Sequence, residues 1–309
     1  MKEKFRKKIH RKRIINKRNI NRNNKRKGRK KISKKLIGFK ILKVVKIALI
    51  IFLIFCYIFF YKFYKLKNIP IIPFTIQEEE LLNKKLLKFK SYSQYLEDLV
   101  LFILLFDIKE GFYIDVGAFE PSSLSVTKAF HLRGWKGINI EPQQKRIQQF
   151  EKHRPNDINL QIAVGPNEGN VTFYIKEAAS TINPNYSSLA KEIVNLTMDT
   201  MSNICRKYVP PEKKIDFCKI DVEGGEKGVL LGYDFKNYRP KVFCIESVIP
   251  GTNIDNYYLW EDILINNGFT FAYELKINRF YVDNNCPKIL ARAQNISKFI
   301  NIFEKKSNI

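Results

Sequence analysis

Acidic side chains close four of the apolar runs that the sequence predicts as β-strands. They are Asp115, Glu141, Asp221 and Glu246. A further run ends in the small residues Ala163-Val164-Gly165. In an open α/β sheet, ligands bind outside the carboxyl ends of the parallel strands. We therefore expect these strand ends to converge on one pocket.

The segment Gly111–Glu141 has the layout of a nucleotide-binding βαβ unit. A short apolar run leads into Asp115-Val116-Gly117-Ala118, a stretch predicted as helix follows over 122–132, and a second apolar run stops at Glu141. A carboxylate can accept hydrogen bonds from both hydroxyls of a ribose. Glu141 is therefore the predicted ribose ligand.

The turn after the first strand favours one class of nucleotide. A dinucleotide fold places G-x-G-x-x-G here, whereas this chain has D-V-G-A-F-E-P with one firm glycine. The acid Asp115 suits a cation such as the amino group of a methionine moiety. The pattern favours S-adenosyl-L-methionine over NAD, and an NAD-dependent oxidoreductase is the alternative.

Several motifs, in order from about Ser91 to Val282, resemble the FkbM-type S-adenosylmethionine-dependent methyltransferase family. They are SQYLED, FYIDVGAFEPSSLSVT, GWKGINIEP, FEKHRPNDINLQIAVG, IDFCKIDVEGGEKGVL and RPKVFCIE. The resemblance implies a Rossmann-like domain that usually methylates a hydroxyl. The implied partner is a hydroxyl-bearing glycan, lipid-linked or small-molecule acceptor. Pro121 stands where many methyltransferases have glycine.

The resemblance also implies roles for single residues. Asp115, Gly117 and Ala118 would form the loop around the methionine part of the cofactor, and Asp221 would face that end and the acceptor. The residues implied near the adenine are Asp157, Ala163 and Val164. Gln94, at the start of a predicted helix, is a further candidate cofactor contact, with helix capping as the alternative.

A hydroxyl acceptor must lose a proton during methyl transfer, so a general base helps. The candidates are Asp221, Glu223 and Glu246. For Glu223, the alternative is an acid that simply favours a helix N-terminus. We expect no metal site, since no CxxC or Cys/His cluster indicates zinc. The alternative is that Asp221, with Glu223 or Glu246, holds a divalent cation.

The net charge of +25 belongs to the N-terminal part of the chain. Residues 1–42 are rich in Lys, Arg and Asn and predict a disordered tail. Residues 43–64 contain the uncharged stretch Ile47–Tyr61 with lysines on both sides, which predicts a transmembrane signal-anchor helix. A buried core helix and a cleaved signal peptide are the alternatives.

The distribution of charge predicts the orientation. The basic excess before the span places the N-terminus in the cytosol and the folded domain in a lumen or outside the cell, as in a type II membrane protein. Every N-x-[ST] sequon follows the span: Asn170, Asn185, Asn195 and Asn295. The tail is expected to contact anionic lipid headgroups rather than nucleic acid. Cys205 and Cys286 could pair in an oxidising lumen, with free thiols as the alternative.

Alternating strands and helices predict an α/β fold with a doubly wound, mostly parallel sheet and a C-terminal antiparallel hairpin. The predicted boundaries are a tail over 1–42, a span over 43–64, a linker with a first helix over 65–90, the methyltransferase-like domain over 91–285 and a helical extension over 286–309. A non-catalytic luminal binding or trafficking protein that retains this fold is the alternative function.

Overall fold

The computed structural model describes residues 52, 54–56, 71–176, 179–188 and 190–307. The chain divides into two compact units, residues 1–70 and 71–309. The predicted tail and most of the predicted span over 43–64 lie outside the described residues. Among the residues that are described, no helix is both long and apolar enough to cross a bilayer.

A seven-stranded sheet in the order β3-β2-β1-β7-β8-β10-β9 forms the second unit. Its strands are β1 (Phe112–Val116), β2 (Lys136–Ile140), β3 (Ile158–Leu160), β7 (Phe217–Ile220), β8 (Val242–Glu246), β9 (Phe269–Leu275) and β10 (Asn278–Asp283). The first five run parallel, whereas β10 is antiparallel to β8 and β9. The predicted mixed sheet with a terminal hairpin is confirmed.

A second, three-stranded sheet has the order β4-β6-β5. It consists of β4 (Ala163–Val164), β5 (Gly169–Ile175) and β6 (Glu192–Asp199). The alternating sequence predicted strands in this region, but not that they leave the main sheet.

Helices cover both faces of the main sheet. They are α1 (Ile76–Leu86), α2 (Glu97–Leu105), α3 (Lys128–His131), α4 (Gln144–His153), α5 (Met201–Tyr208), α6 (Glu226–Leu231), α7 (Glu261–Asn266), α8 (Pro287–Ala293) and α9 (Ile296–Ser307). Tyr113 and Phe217 pack toward α1, α2, α8 and α9, whereas Ile114 and Cys218 pack toward α5, α6 and α7. This division follows the alternation of side chains along a strand.

Cys205 and Cys286 lie on opposite faces of the main sheet. Cys205 is buried in the core on one face, and Cys286 packs against the core on the other. Both thiols are free. The hypothesis of a Cys205–Cys286 disulfide is therefore wrong for this structure.

Two predicted helices are shorter than the sequence indicated. The stretch 122–132 is helical only over α3, because buried Arg154 holds the preceding loop by donating to the Pro121 carbonyl at 2.6 Å and to Ser125 Oγ at 2.9 Å. The helix expected from Ser93 begins at Glu97, because the Asp98 carboxylate accepts from the Ser91 and Ser93 hydroxyls and holds these residues in a turn.

Arg154→Met should destabilise the domain strongly. The guanidinium is 1% exposed and serves five acceptors, which the methionine would leave unsatisfied. We expect a loss of about 3 kcal/mol in the free energy of unfolding, because each buried polar group left unsatisfied costs about 1–3 kcal/mol. Urea denaturation of the full chain in neutral detergent, followed by circular dichroism, measures it. Lys152→Met removes an exposed cation nearby and should change little; equal effects of both substitutions would contradict the prediction.

Candidate cofactor and acceptor site

A pocket lies at the carboxyl ends of β1, β2, β7 and β8. Eight of the residues predicted for the site line it: Gln94, Gly117, Glu141, Ala163, Val164, Asp221, Glu223 and Glu246. Three predicted residues do not, namely Asp115, Ala118 and Asp157. The remaining lining residues are Phe119, Leu124, Pro142, Gln143, Phe173, Ser180, Ile182, Lys219 and Val222.

The turn after β1 requires glycine at position 117. Gly117 has φ of 76°, and a Cβ at this position would lie 1.8 Å from the Asp221 carbonyl oxygen. The N–H groups of Gly117 and Ala118 both donate to the Ile140 carbonyl at 3.0 Å. The turn is therefore fixed between the ends of β2 and β7.

Ala118 contributes to packing rather than to the pocket surface. It is 2% exposed and contacts the cluster formed with Ile147 and Phe150 of α4. Its predicted cofactor contact does not fit this geometry, because its side chain points toward the helix that supports the turn.

Glu141 lies where the sequence placed the ribose ligand. One carboxylate oxygen accepts from the Phe119 N–H at 3.0 Å and the other from the Gln143 N–H at 2.9 Å. Burial raises the pKa of Glu141 to about 7, although these N–H groups oppose the shift. Each oxygen keeps a further lone pair, so the fixed carboxylate can still accept from a diol.

Asp115 lies behind the pocket instead of lining it. It is a residue of β1, and strand alternation directs its side chain into the sheet face, where Oδ2 accepts from Thr127 Oγ1 at 2.9 Å. Oδ1 is 3.7 Å from Lys219 Nζ and has no hydrogen-bond partner among the described residues. The predicted contact with a methionine amino group does not fit this position.

Lys219 is a pocket residue that the sequence analysis did not identify. Its ammonium group donates to the Gly117 carbonyl at 2.7 Å and lies 3.2 Å from Asp221 Oδ2. Burial alone would lower the pKa of Lys219, but the carboxylates of Asp221 and Asp115 raise it, so the group stays a cation. The signal was present: a lysine inside the apolar run IDFCKID must find a buried partner.

The three candidate bases come together as predicted. One carboxylate oxygen from each of Asp221, Glu223 and Glu246 lies within 4.8 Å of the others. Burial, followed by the charges of Asp221 and Glu226, raises the pKa of Glu223 to about 8. Burial and Asp221 likewise raise the pKa of Glu246.

Three carboxylates at this spacing repel each other when all are ionised. A shared proton or a shared cation can relieve the repulsion, and the Lys219 ammonium already supplies a positive charge beside Asp221. Glu246 Oε2 is buried and lacks a hydrogen-bond partner within the described part of the chain. This cluster can therefore take up a proton.

Glu226, which the sequence reasoning also missed, supports the turn that carries Glu223. Its Oε1 atom accepts from the N–H groups of Val222 and Gly224, both at 3.1 Å. Glu223 itself has φ of 54°, a left-handed conformation that is unfavourable for a non-glycine residue. The Thr181 hydroxyl donates to the Glu223 carbonyl at 2.8 Å, which ties the segment 179–188 to this turn.

Asp157 lies at the opposite edge of the sheet. It precedes β3, so it stands at the amino end of a parallel strand, whereas the pocket stands at the carboxyl ends. Its Oδ2 atom accepts from the Tyr113 hydroxyl at 2.7 Å and is 3.3 Å from His131 Nδ1. The predicted adenine contact is therefore wrong, and Asp157 belongs to a buried polar network.

Comparison with known proteins gives one informative match. The family model described as the methyltransferase FkbM domain matches residues 115–271, just over half of the chain. The matched segment contains every pocket residue named above except Gln94. No curated protein matches the chain. The alternative of a dinucleotide-dependent oxidoreductase is not supported.

Two solved structures resemble the fold at a distance. A precorrin-6y C5,15-methyltransferase from Geobacter metallireducens GS-15 is 10% identical, with a TM-score of 0.33 over 60% of this chain and 86% of that one. A candidate RNA methyltransferase from Pyrococcus horikoshii is 12% identical, with a TM-score of 0.33 over 67% and 99%. Neither similarity is close enough to bear on function. The family match, together with the pocket at the strand ends, establishes that this chain belongs to the FkbM methyltransferase domain family.

Proposed function

We propose that this protein uses S-adenosyl-L-methionine to methylate a hydroxyl oxygen on a glycan, lipid-linked or small-molecule acceptor. One observation carries the proposal. A single pocket joins the fixed carboxylate of Glu141 to the acid cluster of Asp221, Glu223 and Glu246 across the turn at Gly117.

The residues of the pocket fit this cofactor. Glu141 follows β2 and Glu246 is the last residue of β8, and these strands are three positions apart in the sheet, or about 14 Å. This length suits a nucleoside joined to an amino acid. Ala163, Val164 and Phe173 offer apolar surface for a base. The pocket is lined by four carboxyl groups and one lysine, which suits a ligand that carries positive charge.

The chain's own contribution to catalysis would be positioning and proton transfer. When bound, S-adenosylmethionine supplies a methyl group that its positively charged sulfur has already activated. The protein must hold the acceptor oxygen in line with that group. Glu223 is the best-matched base, because its pKa of about 8 lies near the working pH and its side chain reaches the pocket.

Glu141→Gln should weaken cofactor binding about 10- to 100-fold. The amide keeps the shape of the side chain, but it loses a charge-assisted acceptor for the ribose hydroxyls. Isothermal titration of the full chain in neutral detergent with S-adenosylmethionine measures the effect. Glu151→Gln, at an exposed position of α4, is the matched control and should bind as the wild type does.

The same protein tests the proposed reaction. With methyl-labelled cofactor and fractionated glycans or lipids, we expect an alkali-stable methyl ether that forms equally well in EDTA. Absence of binding at millimolar cofactor would contradict the enzymatic proposal. Binding without transfer to any fraction would instead favour the binding or trafficking alternative.

Glu223→Gln should weaken cofactor binding only at high pH. At pH 6 both side chains are neutral, because the pKa of Glu223 is about 8, and the two proteins should bind alike. At pH 9 the wild type gains a carboxylate near a cationic ligand and should bind about 10-fold more tightly than the variant. Titration calorimetry at both pH values measures the ratio, and a ratio independent of pH would contradict this assignment.

We also propose that residues 43–64 anchor the chain in a membrane with the N-terminus in the cytosol and the domain in a lumen or outside the cell. The basic excess before this segment supports the orientation. The exposure of Asn170, Asn185 and Asn195 on the domain is compatible with it.

Translation into sealed microsomes tests the orientation. We expect glycosidase to increase the gel mobility of the product, and the domain to resist protease added outside. Asn170→Gln with Asn195→Gln should reduce the mobility shift, because these sequons lie on exposed strands of the second sheet. Complete digestion of the domain by external protease would refute the orientation.

A further inference from the structure

A second cavity of about 660 Å³ lies at the edge of the sheet opposite the cofactor pocket. Its walls come from α1, α2 and α3 and from the segments before β1 and β2, which include Ile108 and Trp135. The cofactor pocket instead follows the ends of these strands, at Gly117 and Glu141. The two sites are therefore separated by the length of the strands, about 16 Å.

The lining of this groove combines apolar surface with positive charge. Seven lining residues are apolar or aromatic and five are basic, with no acid among them. The basic residues are Lys84, Lys85, Lys88, Lys109 and Arg133. At the rim, Leu87 is 62% exposed.

None of these five cations has an ion-pair partner in the described ranges. Lys85 donates to the Phe106 carbonyl at 2.8 Å, and the Arg133 guanidinium stacks on Phe89 and Phe102, both at 4.8 Å. These contacts orient the groups. The charges of Asp107 and Asp98 act on Lys85 and Arg133 respectively, but neither carboxylate forms an ion pair with them, and Asp107 is paired with Arg292. Residues 69–309 carry a net charge of only about +1, so general basicity does not explain five unpaired cations in one place.

We propose that this groove binds an anionic phospholipid of the membrane to which the chain is attached. The phosphate would lie among the lysines, and the adjoining acyl segment would cover the apolar floor and Leu87. Charge complementarity supports this occupant, since five cationic side chains and no acidic side chain line the groove. The cavity volume also lies in the range of small-molecule sites.

The attachment of the domain supports the same occupant. The predicted span ends at residue 64 and α1 begins at Ile76, so the eleven intervening residues reach at most about 40 Å. Lys84 and Lys85 lie in the last turn of α1. This part of the argument uses the predicted span, whereas the composition of the groove does not depend on it or on the cofactor.

Docking in this way would have a consequence for the reaction. With the amino ends of β1 and β2 toward the bilayer, the cofactor pocket at the other edge faces the aqueous phase. Acceptors would then approach from solution or on glycans, including lipid-linked ones, that extend far enough from the bilayer.

Photolabelling of the full chain in nanodiscs tests the groove itself. The labelled residues are identified by position, so lipid contacts of the basic tail are counted separately. The nanodiscs are phosphatidylcholine with roughly 20% phosphatidylserine, and the photoreactive acyl chain is carried by either lipid. We expect the phosphatidylserine probe to label 84–88 and 105–109 at least about fivefold more than the phosphatidylcholine probe. Lys84→Glu with Lys88→Glu and Lys109→Glu should abolish this difference.

The matched control reverses three other exposed lysines, Lys145, Lys152 and Lys227, and should leave labelling of the groove unchanged. Thermal melting of each variant checks that it folds. Equal labelling by the two probes, or unchanged labelling of the first triple variant, would overturn the proposal. If a photoreactive free fatty acid labels the groove and neither phospholipid probe does, the proposal is overturned as well. None of these readouts depends on methyl transfer, so failure here leaves the proposed function standing.

Discussion

The buried ammonium group of Lys219 connects the two halves of the site. It bonds the carbonyl of Gly117, at the cofactor turn, and lies between Asp221 at the pocket and Asp115 behind it. Burying a lysine is costly unless its charge is paired and hydrogen-bonded. Here the carboxylates of Asp115 and Asp221 offset that cost. The lysine also bonds the Gly117 carbonyl, so it holds the end of β1 close to the end of β7. The relative positions of the Gly117 turn and of Asp221 therefore depend on this one cation.

A polar layer behind Lys219 extends the same constraint toward the loop after β1. Asp115 accepts from Thr127, Thr127 accepts from Arg154, and Arg154 also bonds the Tyr113 hydroxyl. Burial makes each of these bonds costly to lose, because an unsatisfied polar group in a core is unfavourable. The loop therefore keeps its irregular course instead of becoming helix, and this course leaves room for the pocket beside Phe119.

The sequence predicts the strands and the acids that close them, because apolar runs and parallel topology bring Glu141, Asp221 and Glu246 to one edge. The adenine contact of Asp157 is implied only by the family resemblance, and the chain order already puts this acid before β3, at the amino edge. Asp115 was predicted to lie in the turn, but it is still a residue of β1, so its side chain points into the sheet face instead of into the pocket. The apolar run around Lys219 indicates a buried lysine, but not that its partners are the Gly117 carbonyl and Asp221, because such contacts join distant segments. The basic groove lined by α1, α2 and α3 is unpredicted for the same reason.

The near-neutral charge of the folded domain conceals a separation of charge along the strands. The carboxyl edge of the sheet carries the acid cluster, whereas the other edge carries basic residues, including Lys109 before β1 and Lys214 before β7. Lys241, before β8, is paired at that edge with Asp216 at 2.6 Å. A cationic ligand and an anionic surface are therefore attracted to opposite edges. Because the strands are parallel, the same topology that assembles the pocket also gathers the residues before the strands. If the basic edge faces a bilayer, the fold itself sets the direction in which the pocket opens.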